Sequence, residues 1–176
     1  LADIAAWENY AKIASTEQLL ENRDYTVTLT VQGYNAGDLY PDGDGSEAAY
    51  FIKAQPFAVK SGWSVLDVLR ASAKHYGYSL KEKSGYAAEI AGLREKTLGS
   101  GSGWMYRVNT TDYINVGMGG YKVSDGDSVL IYYVKEQGDD PACSFEDIKA
   151  WSEGKTAVNL TGNDNADTLE KDWEAV

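Results

Sequence analysis

The stretch that decides the fold is 103–134, with the sequence GWMYRVNTTDYINVGMGGYKVSDGDSVLIYYV. Its first part, 103–109, places a bulky apolar residue at every second position, which is typical of a strand. The Asp125-Gly126 pair is a hairpin-type turn and leads into Ser128–Val134, a second strand pattern. Because the odd and the even positions of that segment are both apolar, we expect this strand to lie in the centre of its sheet.

Upstream segments predict further strands. Residues 24–33 are rich in Val and Thr and alternate, so they predict a half-buried strand, and 49–60 reads as another extended segment. A hairpin is expected around Ser84-Gly85. The segment 94–102 ends in Gly-Ser-Gly-Ser and is expected to act as a flexible hinge.

The clearest helix signal covers about 64–76. Ser64 and Asp67 fit a capping box, and the residues between the caps place their apolar side chains on one face. Gly77 stands where a C′ glycine belongs. Strands with an interposed helix predict the α+β class.

The chain divides into three parts by its sequence texture. Residues 1–23 predict an N-terminal helix, and 24–137 form the main domain. Residues 138–176 are expected to be a helical tail, or the start of a following module, with a polar stretch at 159–166 and a last helix at 167–175.

Charge and composition limit the partners. The 176-residue chain has 27 acidic and 16 basic residues and a formal net charge of −11. Such a surface repels phosphate backbones and anionic lipid, so nucleic-acid and membrane-surface partners are disfavoured. No apolar run approaches the ~20 residues of a membrane helix. The chain opens at Leu1, and we expect it to be a processed or excised piece of a longer protein.

Catalytic patterns are missing from the sequence. His75 is the only histidine and Cys143 the only cysteine, so paired-histidine metal sites and an internal disulfide are excluded. His75 is expected to be a structural or surface residue and Cys143 a bystander. No G-x-S-x-G elbow, Walker loop or G-x-G-x-x-G fingerprint occurs. We therefore predict a protein that is not an enzyme.

An acidic loop offers a weak calcium pattern. Asp42, Asp44 and Glu47 lie among turn-forming residues and supply part of the oxygen set that a calcium loop uses. A solvated turn explains the same residues and is the favoured interpretation, so no metal site is predicted.

The remaining functional candidate is an aromatic and glycine-lined surface. Glycines let a ligand approach the backbone, and a methionine between glycines is expected to be exposed and to adapt to flat apolar groups. The alternative for the aromatic strand residues is that they belong to the core. The candidate ligand-binding residues are Trp104, Met105, Tyr106, Asn109, Gly117, Met118, Gly119 and Tyr121.

Several motifs follow one another in a fixed order. They are G-x-S-V-L-D-V-L at 62–69, Ile90-x-Gly92-Leu93, Trp104-Met105-Tyr106, and N-V-G-M-G-x-Y-x-V-x-x-G-D at 115–127. Together they resemble the C-terminal domain of transcobalamin and intrinsic factor. They are more similar still to the bacterial transcobalamin-like C-terminal domains of surface and secreted proteins. The resemblance covers about 24–135.

The resemblance implies a fold and a function. The fold would be a small α+β domain with one helix packed on a β-grasp-like mixed sheet. In the vitamin carriers this domain closes over cobalamin and touches it with the strand that begins at the shared tryptophan, here Trp104 to Asn109. The bacterial relatives imply a non-catalytic, extracellular or cell-surface binding or adhesion module, whose partner is a protein, a glycan or a small planar ligand. A carrier domain for cobalamin or another corrinoid is the alternative, and no other cofactor is expected.

Overall fold

The computed structural model describes residues 24–33, 49–110, 112 and 114–162. These residues form an α+β fold with two helices and two sheets, which confirms the predicted class. The helices are α1 (Val65–Tyr76) and α2 (Phe145–Ser152). The strands are β1 (Tyr25–Gly33), β2 (Ala49–Val59), β3 (Leu80–Lys83), β4 (Tyr86–Ile90), β5 (Leu93–Arg94), β6 (Gly103–Val108), β7 (Ser128–Val134) and β8 (Val158–Asn159).

The larger sheet has the order β6-β7-β1-β2-β8 and is mixed. Antiparallel hairpins β1–β2 and β6–β7 flank a central parallel pair, β1 with β7. The chain crosses between the two hairpins through α1 and a small antiparallel sheet of order β3-β4-β5. This is the β-grasp-like arrangement that was expected. The predicted helices at 1–23 and 167–175 and the acidic loop with Asp42, Asp44 and Glu47 lie outside the described residues.

One face of the larger sheet is covered by α1 and the small sheet. The side chains that alternate toward this face are almost completely buried, and they form the main core with the apolar side of α1. The cluster includes Val27, Leu29, Val31, Phe57, Leu66, Leu69, Trp104, Tyr106, Val129, Ile131 and Tyr133.

The other face is covered by the tail. Leu130, Tyr132 and Val134 of β7 point to this side, where they pack against Cys143 and against Ile148 of α2. Strand β7 is therefore buried on both faces and pairs with a strand on each side, which confirms the prediction from its two-sided apolar pattern.

Neither of the described helices is long and apolar enough to cross a membrane.

Helix α1 begins and ends as its sequence predicts. The Asp67 N–H donates to Ser64 Oγ at 3.1 Å, and the Ser64 N–H donates to Asp67 Oδ2 at 2.8 Å, which completes the capping box. Gly77 closes the helix with a left-handed φ of 74°. The nearly buried Arg70 then binds Glu82 of β3 through two hydrogen bonds of 2.6 and 2.8 Å, so that the helix and the small sheet are held together.

The tail contains a helix, as predicted, and also a short strand that the sequence did not predict. Val158 and Asn159 form β8, which pairs in parallel with β2, at the start of the stretch 159–166 that was expected only to be polar. The buried Leu160 anchors this strand, and its N–H donates to the Ala58 carbonyl at 2.9 Å. The tail thereby covers the edge of β2 at Phe57 and Ala58, a tertiary role that a two-residue strand does not signal locally. The domain limits at residues 23 and 137 stay predictions.

A buried glutamine fixes the start of the tail on the sheet. Gln32 is 2 % exposed, its Oε1 accepts from the Ala142 N–H at 2.8 Å, and its Nε2 donates to the Gly33 carbonyl at 2.9 Å. Burying an amide costs free energy unless its polar atoms are hydrogen-bonded. The Gln32 side chain is therefore fully paired only when the start of the tail is docked on the sheet.

We predict that Gln32→Ala destabilises the protein by about 1–3 kcal/mol, because the Ala142 N–H loses its acceptor in a part-buried place. The matched control is Gln55→Ala in the neighbouring strand, where the amide is only part-buried and bonds to the Pro56 and Thr156 carbonyls. Its cost is expected to stay below about 1 kcal/mol. Urea unfolding of both variants measures the difference, and equal costs would contradict the anchoring role.

The buried cysteine gives a second test of the docked tail. Burial raises the pKa of the Cys143 thiol, while a hydrogen bond with Tyr50 opposes that shift. A raised pKa means less thiolate at pH 8, and only the thiolate attacks disulfide reagents. We expect Ellman's reagent to react with the native protein roughly tenfold or more slowly than with the urea-unfolded chain. Similar rates in the two states would show that the tail leaves Cys143 open.

Candidate functional site

A cleft of about 470 Å³ runs along the outer edge of β6. This strand is the last one in the larger sheet and pairs with β7 only. The β3–β4 turn forms one wall of the cleft, and the segment 95–102 forms another. The size falls in the range of small-ligand sites.

The floor of the cleft is the edge of the strand itself. Trp104 and Tyr106 line it from the α1 side of the sheet, while Met105 and the neighbouring Val134 line it from the α2 side. Since side chains on a strand alternate between faces, a cavity that touches both sets must lie beside the backbone.

The Trp104 ring belongs to the core. It is 6 % exposed, and its Nε1–H donates to the Leu93 carbonyl at 2.9 Å. Its ring packs edge-on against Tyr133 with centroids 5.2 Å apart. The interpretation of Trp104 as a core residue is therefore correct. Only the small exposed fraction of this residue lines the cleft.

Tyr106 is held in a similar way. It is 5 % exposed, its hydroxyl donates to the Val116 carbonyl, and its ring lies 6.2 Å from that of Tyr121. Partial burial, followed by the charge of Asp127, raises the pKa of Tyr121. The Tyr106 hydroxyl thus fastens the glycine-rich loop to β6.

The expectation that Met118 is exposed is wrong. Met118 is 0 % exposed and lies in the main core, and its carbonyl accepts from the Leu66 N–H at 3.1 Å. The Gly119 N–H donates to the Gly85 carbonyl at 3.1 Å, and a Cβ on Gly117 would stand 3.3 Å from the Tyr86 ring. The glycines therefore allow the loop to pack closely against the β3–β4 turn, where a ligand had been expected.

Asn109 closes the end of the β6–β7 hairpin. It has a left-handed φ of 61°, its Nδ2 donates to Asp127 Oδ1 at 2.8 Å, and its Oδ1 accepts from the Ser128 N–H at 2.7 Å. Among the eight predicted site residues, the cleft brings together Trp104, Met105 and Tyr106. The other five, which are Asn109, Gly117, Met118, Gly119 and Tyr121, lie outside its lining. Whether any of the eight binds a ligand stays a prediction.

Sequence reasoning missed the walls of the cleft. Tyr86 is 37 % exposed and stands at the rim, beside Ser84 and the exposed Lys96. The expected Ser84-Gly85 turn is present, with φ values of 52° and 80°. However, nothing in the local pattern indicates that the turn folds against a strand about twenty residues later.

The second wall was expected to be a flexible hinge, but it is held by hydrogen bonds. Ser102 Oγ accepts from the Leu98 N–H at 3.1 Å and from the Tyr133 hydroxyl at 3.1 Å, and the Ser102 N–H donates to the Gly99 carbonyl at 3.1 Å. The Tyr133 hydroxyl shares its single proton between Ser102 Oγ and the Arg94 carbonyl, which lies closer, at 2.7 Å. The core strand β7 therefore positions this wall.

The charged groups of the cleft lie at its rim. Lys83 Nζ and Glu95 Oε1 are 3.9 Å apart and exposed to solvent, so their attraction is weak. Within the described residues, no group of three His, Cys, Asp or Glu side chains is placed to hold a metal ion. The lining of the cleft contains no histidine and no cysteine.

We predict that Met118→Ala destabilises the protein by about 2–5 kcal/mol, because it leaves a cavity in the main core. Val116→Ala is the control from the same loop, since Val116 is 46 % exposed and its change is expected to stay within about 0.5 kcal/mol. Thermal or urea unfolding distinguishes the two. A neutral Met118→Ala would return Met118 to the list of surface candidates.

Comparisons with known proteins give a family match and several distant structural similarities, two of which are described below. The model of a domain of unknown function, DUF4430, matches residues 62–135, which is less than half of the chain but includes α1, the small sheet, β6 and β7. No curated protein matches.

The chain is similar in structure to a putative metal binding protein from Ruminococcus gnavus ATCC 29149, at 14% identity and a TM-score of 0.41, over 62% of this chain and 96% of that one. It is also similar to haptocorrin in complex with Cbi, at 17% identity and a TM-score of 0.43, over 63% of this chain and 25% of that one. Both scores are low, and neither similarity indicates a ligand for this chain.

Proposed function

We propose that this chain is a non-catalytic ligand-binding module of an extracellular or cell-surface protein, and that its ligand binds in the cleft beside β6. The observation that carries the proposal is the cleft itself, about 470 Å³ beside β6, which is an edge strand of the larger sheet among the described residues. Aromatic side chains and exposed polar groups line it together, as in most small-ligand sites.

The rigidity of the cleft supports a binding role. The floor is a strand whose side chains are fixed in the core, and the walls are held by the Gly119–Gly85 and Ser102–Tyr133 hydrogen bonds. A site that is already ordered loses little conformational entropy when a ligand binds, so more of the contact energy appears as affinity.

The sequence resemblance supports the same class of function. The motifs shared with the transcobalamin-like C-terminal domains extend from α1 to β7 and enclose both walls and the floor of the cleft. We infer membership of that group from these motifs, and the extracellular location and the adhesion role rest on the same resemblance.

A carrier domain for cobalamin or another corrinoid is the second candidate. The feature that favours it is Tyr86, whose exposed ring at the rim offers a flat apolar surface to a planar ligand. Because the cleft is open on one side, such a ligand would need a second domain to cover its other face. A corrinoid should therefore bind this chain weakly when the chain is alone.

The test of the proposal is a fragment screen by amide NMR, with small aromatic acids, amides and monosaccharides as the probes. We expect the hits to shift amides of residues 83–106 that line the cleft. Tyr86→Ala should weaken the best hit about tenfold or more, through the loss of its main exposed contact. The matched control is Tyr76→Ala, because Tyr76 is similarly exposed, at 40 % against 37 %, but does not line the cleft.

Two outcomes would overturn the proposal. Hits that map to the α2 side of the sheet would move the site, and a complete lack of hits at millimolar concentration would remove it. The corrinoid alternative has its own readout, which is a titration with cobinamide and cobalamin followed by visible absorption. A shifted band that Tyr86→Ala abolishes would favour the carrier, and an unchanged spectrum would reject it.

A further inference from the structure

We propose that the open part of the β6 edge binds a short extended peptide by strand pairing at Trp104. This inference rests on the proposed function, because it names the class of ligand for the same cleft. It is carried by the backbone hydrogen-bonding groups of β6.

The register of the β6–β7 hairpin fixes which groups face the cleft. The Asn109 N–H donates to the Ser128 carbonyl at 2.9 Å, one step beyond the pair Val108 and Val129. Backbone bonds of an antiparallel pair recur at every second residue, so Met105 and Arg107 bond to β7 in the same phase. The backbone groups of Trp104 therefore point away from β7 and into the cleft.

The two ends of this edge are already closed by the chain itself. At one end, the Ser102 carbonyl accepts from the Lys96 N–H at 2.8 Å, and the Ser102 N–H is used by Gly99. At the other end, the Val108 carbonyl accepts from the Thr110 N–H at 2.7 Å. Between them, the N–H and C=O of Trp104 have no hydrogen-bond partner in the part of the chain that the structure describes.

The groups left open specify an extended backbone. A strand residue presents its N–H and C=O on the same side, and the natural complement is another extended residue that offers a C=O and an N–H at the same spacing. The closed ends limit the pairing to residues 103–107 at most. A second copy of β6 is a poorer occupant, because its own closing loops would meet those of the first copy.

The side chains around Trp104 define the peptide further. The peptide residue opposite Trp104 would point to the α1 side, where Tyr86 and Ala87 leave little space, so a small residue is expected there. Its two neighbours would point to the α2 side and lie over Met105 and Val134, which favours apolar residues. The inferred motif is apolar-small-apolar in extended form.

The experiment uses a phage library of random heptapeptides, panned against the complete chain. The enriched peptides are synthesised together with variants that carry an N-methyl group at each position in turn. We expect one position whose N-methylation raises Kd about tenfold or more, since it removes a hydrogen bond and blocks close approach. Binding should also slow the hydrogen exchange of the Trp104 amide, while the Met105 amide, already bonded to β7, should change little.

Each outcome decides the proposal. Enriched peptides that tolerate N-methylation everywhere, that leave Trp104 exchange unchanged, or that shift amides outside the cleft would overturn strand pairing, as would a library without enrichment. A concentration-dependent dimer that protects the Trp104 amide would assign the edge to a second copy and overturn the peptide. If the fragments of the previous screen still bind the cleft in these cases, the proposed function stands and only the peptide class falls. If they do not bind, both fall.

Discussion

Strand β7 imposes the constraint on which the rest of the structure depends, because it is buried on both faces and paired on both sides. Leu130 and Ile131 are each 0 % exposed, yet they point to opposite faces of the sheet. One covering layer therefore cannot satisfy this strand. The crossover through α1 and the small sheet supplies one layer, and α2 in the tail supplies the other. The tail consequently acts as the second half of the core, held in place by Gln32.

The same chain also closes the edges of the sheet. An uncovered edge attracts other strands, so proteins cover, shorten or occupy their edges. Here β8 covers β2 at Phe57 and Ala58, and the hydrogen bonds of Ser102 and Val108 occupy the ends of the β6 edge. An unpaired part of the β6 edge remains at Trp104, beside the cleft. An unpaired backbone group that lies beside a cleft is the kind of local exception that is found at functional sites.

The sequence predicts well those features that neighbouring residues determine. The capping box of Ser64 and Asp67, the Ser84-Gly85 turn and the two-sided pattern of β7 are all local signals, and each is present. The burial of Met118 and the strand at Val158–Asn159 depend on segments far away in the chain, and local patterns gave the opposite answer or none.

The candidate site likewise has one part that local sequence signals predict and another part that they do not. Its floor, with Trp104, Met105 and Tyr106, could be found because it lies on one recognisable strand. Its walls, with Tyr86 and Lys96, are brought there by the packing of a separate sheet on the core. The glycines of the loop show why the sequence alone is ambiguous. Gly117 and Gly119 permit close approach either by a ligand or by another part of the chain. Only the position of the Gly85 turn decides between these two possibilities.

Trp104 joins the core and the cleft in one residue. Its ring is fixed by the Leu93 carbonyl and by Tyr133, and Tyr133 in turn holds the Ser102 wall. The backbone of the same residue faces the open edge. The conformational entropy of these residues is thus lost when the protein folds. Ligand binding does not have to order them again. A cleft built in this way cannot adapt much to an occupant, so the proposed ligand is expected to have a backbone or ring that is already rigid or extended.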